Sequence, residues 1–238
     1  MRFTNKIVLG TMKLKKYFNN SNELSGFLNY AQRKGIKQFH VSNEYDSYKL
    51  FIKSLKKINT KKFNFIIKLS EPKTDQVQFS LKKFEQKINR YRVDLGKKHN
   101  YIVQLVNRYR CNNPKDYLLY EQKTFDVIQN TVIKLKKANI IKSFYFFPYH
   151  KNTNKIKKRS FINGITTYRN QNEKQNDNYA RQNNFKIIAM RIFGKNQKIL
   201  KKKKLKNLIM FNLKNKLVEK IIVGANNKDQ LNQLLKAC

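Results

Sequence analysis

Tryptophan is absent from this 238-residue sequence, and cysteine, proline and glycine are scarce, with two, three and seven residues. Two cysteines, Cys111 and Cys238, are too few for a disulfide framework, so we expect a protein of the reducing cytoplasm. Residues 1–10 lack the charged-then-apolar pattern of a signal peptide, and no apolar run approaches 18 residues. We therefore expect neither secretion nor a membrane span.

Acidic residues are also few: 14 Asp and Glu stand against 53 Lys and Arg, which gives a formal net charge of +39. Such a charge would hold polyanions non-specifically at low salt. The lysines are spread over nearly every segment, however, and the abundance of Lys, Asn, Ile, Phe and Tyr is what an AT-rich coding sequence imposes. We interpret the lysines as solvated surface positions and expect no specific nucleic acid partner. The alternative, a nucleic-acid-binding protein, is supported by charge alone.

The chain alternates between short apolar runs and segments of helical periodicity. Hydrophobic residues make up 40% of it, enough for one sizeable core, so we expect a single domain over residues 1–238. The first helix is expected to be capped by Ser21 or Asn22 and to stop at Gly35. Residues 151–160 leave little room for a full fifth helix, and residues 170–184 are too polar for a full sixth helix, so both stretches are also compatible with loops. The predicted strands are 6–12, 36–41, 63–69, 101–106, 140–147, 161–167, 185–193 and 221–224.

Eight strand–helix units predict an α/β fold, a compact (β/α)8 TIM barrel with a shortened fifth and sixth helix region. Residues 35–45, Gly-Ile-Lys-Gln-Phe-His-Val-Ser-Asn-Glu-Tyr, place a cluster of polar side chains where the second strand stops. Active sites of such barrels lie at the carboxyl ends of the strands, so this stretch predicts a site.

The same stretch resembles the aldo-keto reductase pattern G-I-x-x-F-D-T-A-x-x-Y, with His40 at the Asp position and Tyr45 at the expected spacing. Residues 65–68, 103–108, 187–194 and 221–235 are similar to later strands of that family, in family order. Residues 187–194 are most similar to members from bacterial surface-polysaccharide gene clusters. The resemblance implies NAD(P)H-dependent reduction of a small-molecule carbonyl, with a sugar or sugar-derived compound as the suggested substrate class.

The resemblance also implies catalytic roles for Tyr45, Lys68, His40 and Asn107. Tyr45 would donate a proton to the carbonyl, and Lys68 would lower the pKa of the tyrosine, because a phenol with a pKa near 10 is otherwise a poor acid–base partner at neutral pH. His40 stands in place of the aspartate that normally pairs with the lysine.

Two of these assignments have alternatives. Glu44 or Asp46 would substitute for the lost aspartate beside Lys68. Asn107 takes the place of the family's histidine, but an alignment shift of one residue would put Arg108 there instead. An amide at this place could still hydrogen-bond a carbonyl.

The implied cofactor is NADP or NAD, held near the ends of the first, sixth, seventh and eighth strands. Phosphate contact is expected from Gly224 and the N-terminus of the last helix. Gln230 stands where an arginine often grips the 2′-phosphate, and Pro148-Tyr149 replaces the Ser-Asn pair that usually holds the carboxamide. The predicted cofactor-binding residues are Thr11, Asn163, Arg191, Gly194, Gly224, Asn227 and Gln230.

No metal site is expected, because His99 and His150 lack partners at metal spacing, and Cys111 lacks the adjacent base of a thiol nucleophile. The predicted function is therefore an oxidoreductase of aldo-keto reductase type. Its alternative is a catalytically silent barrel that binds a nucleotide or regulates another protein, since two catalytic positions depart from the family.

Overall fold

The computed structural model describes residues 3–71, 79–108, 113–148, 156, 158–194 and 202–238. Eight parallel strands close into a barrel in sequence order, so the predicted TIM barrel is confirmed. The strands are β1 Ile7–Gly10, β2 Gln38–Val41, β3 Asn64–Ser70, β4 Asn100–Val106, β5 Ser143–Phe146, β6 Gly164–Tyr168, β7 Lys186–Met190 and β8 Val218–Val223. The helices are α1 Ser21–Arg33, α2 Tyr48–Leu55, α3 Leu81–Leu95, α4 Pro114–Lys137, α5 Asp177–Gln182, α6 Lys202–Leu213 and α7 Lys228–Lys236, with 3-10 turns at Thr4–Lys6 and Leu14–Lys16.

The shortened fifth and sixth helix region is also confirmed. Helix α5 has only six residues, and the described part of the chain between β5 and β6 contains no helix. The predicted fifth strand was too long at its start. The amide groups of Ile140 and Ile141 donate to the Leu135 carbonyl and close the end of α4, so the strand begins at Ser143.

Helix α1 begins with a different cap from the one predicted. The side chain of Asn20 accepts hydrogen bonds from the Asn22 and Glu23 amides, because an N-cap residue has extended backbone and serves the donors two and three residues on. Gly35 ends the helix as expected. Its φ of 88° lies in the left-handed region, which glycine adopts without steric cost.

Side chains alternate across the barrel wall, as the period of two in a strand requires. Outward-facing strand residues such as Phe39, Ile67 and Leu105 pack between the barrel and the helices. Inside the barrel, an apolar layer consists of Val8, Ile66, Ile102, Tyr145 and Ile188.

One step towards the carboxyl ends of the strands, the interior becomes polar. His40, Gln104 and Thr166 are all buried there. This polar layer forms the floor beneath the mouth of the barrel. Among the described residues, no helix is both long and apolar enough to cross a membrane.

Candidate active site

Tyr45 lies in the turn after β2, directly above the polar layer. Its hydroxyl is 3.4 Å from His40 Nδ1, and its ring centroid is 5.6 Å from Lys68 Nζ. The structure therefore brings together three of the four predicted catalytic residues. They come from β2, the turn after it and β3, which are neighbours in the barrel.

The hydrogen bonds beneath Tyr45 decide the tautomer of His40. Gln104 Nε2 donates to Thr166 Oγ1 at 2.9 Å and also faces Met190 Sδ, which can only accept. The amide oxygen of Gln104 therefore faces His40 Nε2, at 2.6 Å. Because that nitrogen must donate, Nδ1 carries the lone pair and accepts from the Tyr45 hydroxyl.

A second network surrounds Lys68. Its Nζ is 3.3 Å from Glu44 Oε2, and the same oxygen is 3.4 Å from Arg108 Nη2 and accepts a 2.9 Å bond from Ser70 Oγ. Of the two proposed substitutes for the missing aspartate, Glu44 is the one that pairs with the lysine. The site thus keeps a carboxylate–lysine pair with the carboxylate on a different residue.

Burial governs the protonation of this group. It lowers the pKa of His40 to about 4, an effect that the hydrogen bond from His40 to Gln104 only partly opposes and nearby Lys68 reinforces, so the imidazole is neutral at pH 7. Burial also raises the pKa of Tyr45, which keeps the phenol protonated. The pKa of Lys68 is lowered by burial and by Arg108, against the opposing pull of Glu44.

Four hydrogen bonds fix the turn that carries Tyr45. Ser47 Oγ donates to the Thr11 carbonyl at 2.6 Å, and Thr11 Oγ1 donates to the His40 carbonyl at 3.0 Å. Tyr91, from α3, accepts a bond from the Asn43 amide and donates to the Lys68 carbonyl at 3.1 Å. Thr11, predicted as a cofactor residue, is 1% exposed and ties the ends of β1 and β2 together.

Sequence reasoning missed Tyr91 and Gln104. Nothing distinguishes Tyr91 from other apolar-face residues of α3. Gln104 did leave a signal, because it is a polar residue at an inward position of an otherwise apolar strand.

The structure does not bring Asn107 to this group. Inward positions on β4 are even-numbered, so residue 107 faces the helices and residue 108 faces the mouth. Asn107 Nδ2 donates to Glu121 Oε2 on α4 at 2.6 Å, and both residues are fully buried. Burial raises the pKa of Glu121 to about 8. Arg108, the alternative at this position, is the residue that reaches Glu44.

Arg191 is the most unusual of the predicted cofactor residues. It follows β7 with a φ of 50°, a left-handed conformation that costs a side chain such as arginine about 1–2 kcal/mol. Its guanidinium carbon lies 3.9 Å from the centroid of the Tyr168 ring, at the end of β6. The exposed guanidinium is thus held at the mouth of the barrel, where strain is typical of functional positions.

The remaining cofactor candidates separate into three places. Gly194 and Gly224 follow β7 and β8 at the mouth, and a Cβ on either would meet nothing within 4 Å. Asn227 and Gln230 cap α7 with their own side chains, which accept from the Gln230 and Asn226 amides. Asn163 lies before β6, at the opposite end of the barrel, where Lys136 donates to it.

Tyr149, His150 and Cys111 lie outside the described residues, so their predicted roles are not addressed by the structure. Within the described ranges, no group of three or more His, Cys, Asp or Glu side chains is arranged to hold a metal ion.

Solved structures with this architecture include several aldo-keto reductases. A protein from Pseudomonas aeruginosa, provisionally assigned to that family, has a TM-score of 0.72 at 16% identity, over 98% of this chain and 90% of that chain. The holo form of a Bacillus halodurans aldo-keto reductase has a TM-score of 0.70 at 12% identity, over 98% and 86%. An aldo-keto reductase of the silkworm Bombyx mori has a TM-score of 0.64 at 12% identity, over 98% and 79%.

Neither a protein-family model nor a curated protein matches the sequence. At identities of 12–16%, the structural likeness extends over nearly the whole chain but shows the fold alone. This protein has the fold of the aldo-keto reductases.

Proposed function

We propose that this protein is an NAD(P)H-dependent oxidoreductase of aldo-keto reductase type that reduces a small-molecule carbonyl. The observation that carries the proposal is the convergence of Tyr45, His40 and the Lys68–Glu44 pair at the mouth of a barrel with this fold. A sugar or sugar-derived compound is the proposed substrate class, because residues 187–194 are most similar to polysaccharide-cluster members.

Tyr45 is the proton donor in this scheme. Its buried phenol is protonated at neutral pH, so it can deliver a proton to a carbonyl oxygen as negative charge develops there. Arg108 lowers the pKa of Tyr45 against the larger effect of burial and so favours the phenolate that remains; the Lys68 ammonium, 5.6 Å from the ring centroid, is the second cation proposed to stabilise it. A protonated resting phenol favours carbonyl reduction over alcohol oxidation, since oxidation requires the tyrosine to begin as a base.

His40 orients the tyrosine and does not supply the proton. Its neutral imidazole offers a lone pair at Nδ1, to which the Tyr45 hydroxyl donates over a long 3.4 Å. A bound carbonyl oxygen would compete for the same proton, and the weak bond to His40 would be given up readily. Gln104 acts through His40 by keeping Nε2 as the donor.

The residues at the ends of β7 and β8 fit a dinucleotide in part. The Arg191 guanidinium would bind a phosphate group, and the open space at Gly194 and Gly224 would let backbone approach it. When bound, the nicotinamide cofactor supplies the hydride. The first turn of α7 fits less well, because Asn227 and Gln230 already occupy its amides and Asp229 adds negative charge.

A catalytically silent barrel that binds a nucleotide or regulates another protein is the second candidate. The histidine in place of the aspartate favours the loss of catalysis, and the self-capped α7 favours a regulatory role without a nucleotide. The two functions are separated first by titration with NADPH and NADH, followed by nucleotide fluorescence at about 150 mM salt, where screening limits non-specific attraction to the +39 charge. Saturable binding followed by turnover in a panel of sugar aldehydes and ketones supports the reductase. Binding without turnover supports a silent barrel that binds a nucleotide. If neither nucleotide binds, the reductase is contradicted and the silent, regulatory barrel becomes the better candidate.

The roles within the site are tested by substitution. Tyr45→Phe is expected to lower kcat/KM by about 100-fold or more, because a positioned proton donor typically contributes 10²–10⁴. The nucleotide affinity should not change. Tyr17→Phe, at a tyrosine that is 50% exposed, is the matched control and should behave as the parent. Unchanged turnover in Tyr45→Phe and Lys68→Met would remove both residues from the mechanism.

A further inference from the structure

Lysines that are scattered along the sequence come together at one end of the barrel. All strands of a parallel barrel begin at the same end, so the residues that open them form one surface, opposite the candidate active site. On the first four strands this surface receives Lys6, Lys37, Lys61-Lys62 and Lys97-Lys98, each within three residues before the strand. All of them except Lys6 are exposed.

The remaining strands continue the pattern. Lys142 precedes β5, Lys186 opens β7, and Lys216 and Lys220 lie at the start of β8. The start of β6 has no lysine of its own, but Lys136 Nζ reaches it from α4 and donates to the Phe161 carbonyl at 2.7 Å. We call the ten strand-opening lysines and the surface they form the amino face.

The amino face has almost no negative charge to balance these cations. In the described segments that join each helix to the next strand and open that strand, Glu219 is the single acidic residue. Its Oε2 accepts a 2.6 Å bond from the Tyr145 hydroxyl, inside the barrel. Burial lowers the pKa of Lys220; Glu219 opposes this shift, whereas Lys142 and Lys6 add to it, so these three lysines repel one another. Anion binding would relieve that repulsion.

A groove of about 420 Å³ crosses part of this surface and is lined by cations and amides without a carboxylate. The amide nitrogen of Gln32 donates to the Asn59 carbonyl at 3.0 Å and joins the two sides of the groove. The lining residues are Gln32, Arg33, Lys37, Asn59, Lys61 and Lys62. Such a lining offers several donors to phosphate oxygens and no carboxylate that would repel them.

We propose that the amino face binds the phosphate backbone of double-stranded nucleic acid. One phosphate group can use only two or three cations, whereas the lysines here are spread over seven strands that lie about 4.8 Å apart. A duplex presents about one negative charge per 1.7 Å of its axis and matches a surface of this kind. Contacts to phosphates carry no sequence information, which agrees with the absence of a specific partner expected from the sequence.

The lack of exposed large apolar side chains on the described amino face favours a duplex over a single strand or a membrane surface. The large exposed hydrophobic side chains of the described chain are Met12, Tyr17, Val93, Leu119 and Val127, and none belongs to the strand-opening segments. Single strands are held by stacking of bases on aromatic side chains, and membrane-surface binding uses apolar anchors. The amino face offers charge and amide donors, which is what a paired backbone requires.

The test compares two variants with the same change in net charge. The first replaces Lys37, Lys61, Lys62 and Lys98 on the amino face by Gln; the second replaces Lys16, Lys49, Lys83 and Lys123, which are also exposed but lie elsewhere, by Gln. Binding of fluorescein-labelled 20-base-pair DNA and RNA duplexes is measured by anisotropy with the full chain, between about 50 and 200 mM KCl. Thermal unfolding by circular dichroism confirms that both variants fold.

We expect the amino-face variant to bind either duplex about tenfold or more weakly at about 150 mM KCl, with a salt slope smaller by about 0.9 for each phosphate that is no longer neutralised. The control variant should bind as the parent does. The proposal is overturned if both variants lose affinity equally, which means bulk electrostatics. It is also overturned if the parent does not bind duplexes at this salt, or if it binds phosphatidylcholine vesicles containing phosphatidylserine more tightly.

Discussion

At the scale of single residues, the chemistry of the site follows from what surrounds each titratable group. Tyr45 and His40 are close neighbours, yet burial moves their pKa values apart, up for the phenol and down for the imidazole. Both are therefore neutral at pH 7, and the proton lies on the tyrosine. Gln104 sets the direction of the bond between them, because only its oxygen faces the histidine.

The depressed pKa of His40 predicts a loss of stability in mild acid. The unfolded chain takes up the histidine proton near pH 6.5, while the folded chain resists it down to about pH 4. The free energy of unfolding should therefore fall as the pH drops from about 6.5 towards 4, by about 3 kcal/mol at 1.36 kcal/mol per pH unit. Urea unfolding of the parent and of His40→Asn across this range isolates the contribution of His40 to the pH dependence of the free energy of unfolding. Parallel profiles for the two proteins would contradict it.

The left-handed backbone of Arg191 predicts a difference between two truncations. Arg191→Ala and Arg191→Gly both remove the guanidinium and its contact with Tyr168, so both should weaken NADPH binding equally. Glycine, however, tolerates a φ of 50° without the cost that a Cβ imposes. We expect Arg191→Gly to be more stable than Arg191→Ala by about 1 kcal/mol in urea unfolding. Equal stabilities would show that the backbone relaxes once the arginine is removed.

At the scale of elements, the site depends on how the ends of three strands are tied together. Ser47 and Thr11 connect the turn after β2 to β1, and Tyr91 connects it to β3. Each of these bonds joins a side-chain hydroxyl to a backbone carbonyl at or near a strand end. Helix α3 therefore contributes to the position of Tyr45 although it carries none of the reacting groups.

The contact between β5, β6 and β7 predicts the position least tolerant of a side chain. A Cβ on Gly164 would clash with the Lys186 carbonyl and lie 2.7 Å from Tyr145 Cε1. Gly164→Ala should destabilise the fold by about 3 kcal/mol or more, because both neighbours belong to the barrel wall. Gly26→Ala is the matched control. Gly26 is at an exposed position of α1, and a Cβ added there would meet nothing within 4 Å. The alanine should stabilise the protein by about 0.5–1 kcal/mol. Similar melting temperatures for the two variants would contradict this account.

At the scale of the whole molecule, charge is the dominant property. With a net charge of +39, the folded chain repels itself, most strongly at the amino face. Raising KCl from about 10 to about 150 mM shortens the Debye length from about 30 to about 8 Å. We expect the melting temperature to rise over this range, and to rise less in the amino-face variant. A melting temperature independent of salt would show that the lysines are too far apart to interact.

The distribution of that charge also has a cause in the fold. Acidic residues are found in the first turns of α1, α4, α5 and α7, and basic residues in the last turns of the described helices α1 to α5 and α7, as the helix dipole favours. Because every helix of the barrel points the same way, the basic last turns of the helices all lie at one end of the barrel. The basic last turns of the helices lie at the same end as the strand-opening lysines, away from the candidate active site.

Local sequence patterns determined much of the secondary structure of this protein. The alternation of apolar runs and helical stripes predicted all eight strands, because periods of two and 3.6 residues depend only on near neighbours along the chain. The resemblance of residues 35–45 and 65–68 to a family pattern further predicted that Tyr45 and Lys68 meet at the mouth.

Tertiary structure decided two further properties: which side of the barrel wall a side chain faces, and which distant segments the closed barrel brings together. Whether Asn107 or Arg108 enters the site is a matter of strand parity, since one residue of shift turns a side chain to the other side of the wall. The choice of Glu44 over Asp46 depends on the path of a turn held by distant elements. The amino face exists only because the barrel closes, which gathers lysines from seven separate segments into one surface.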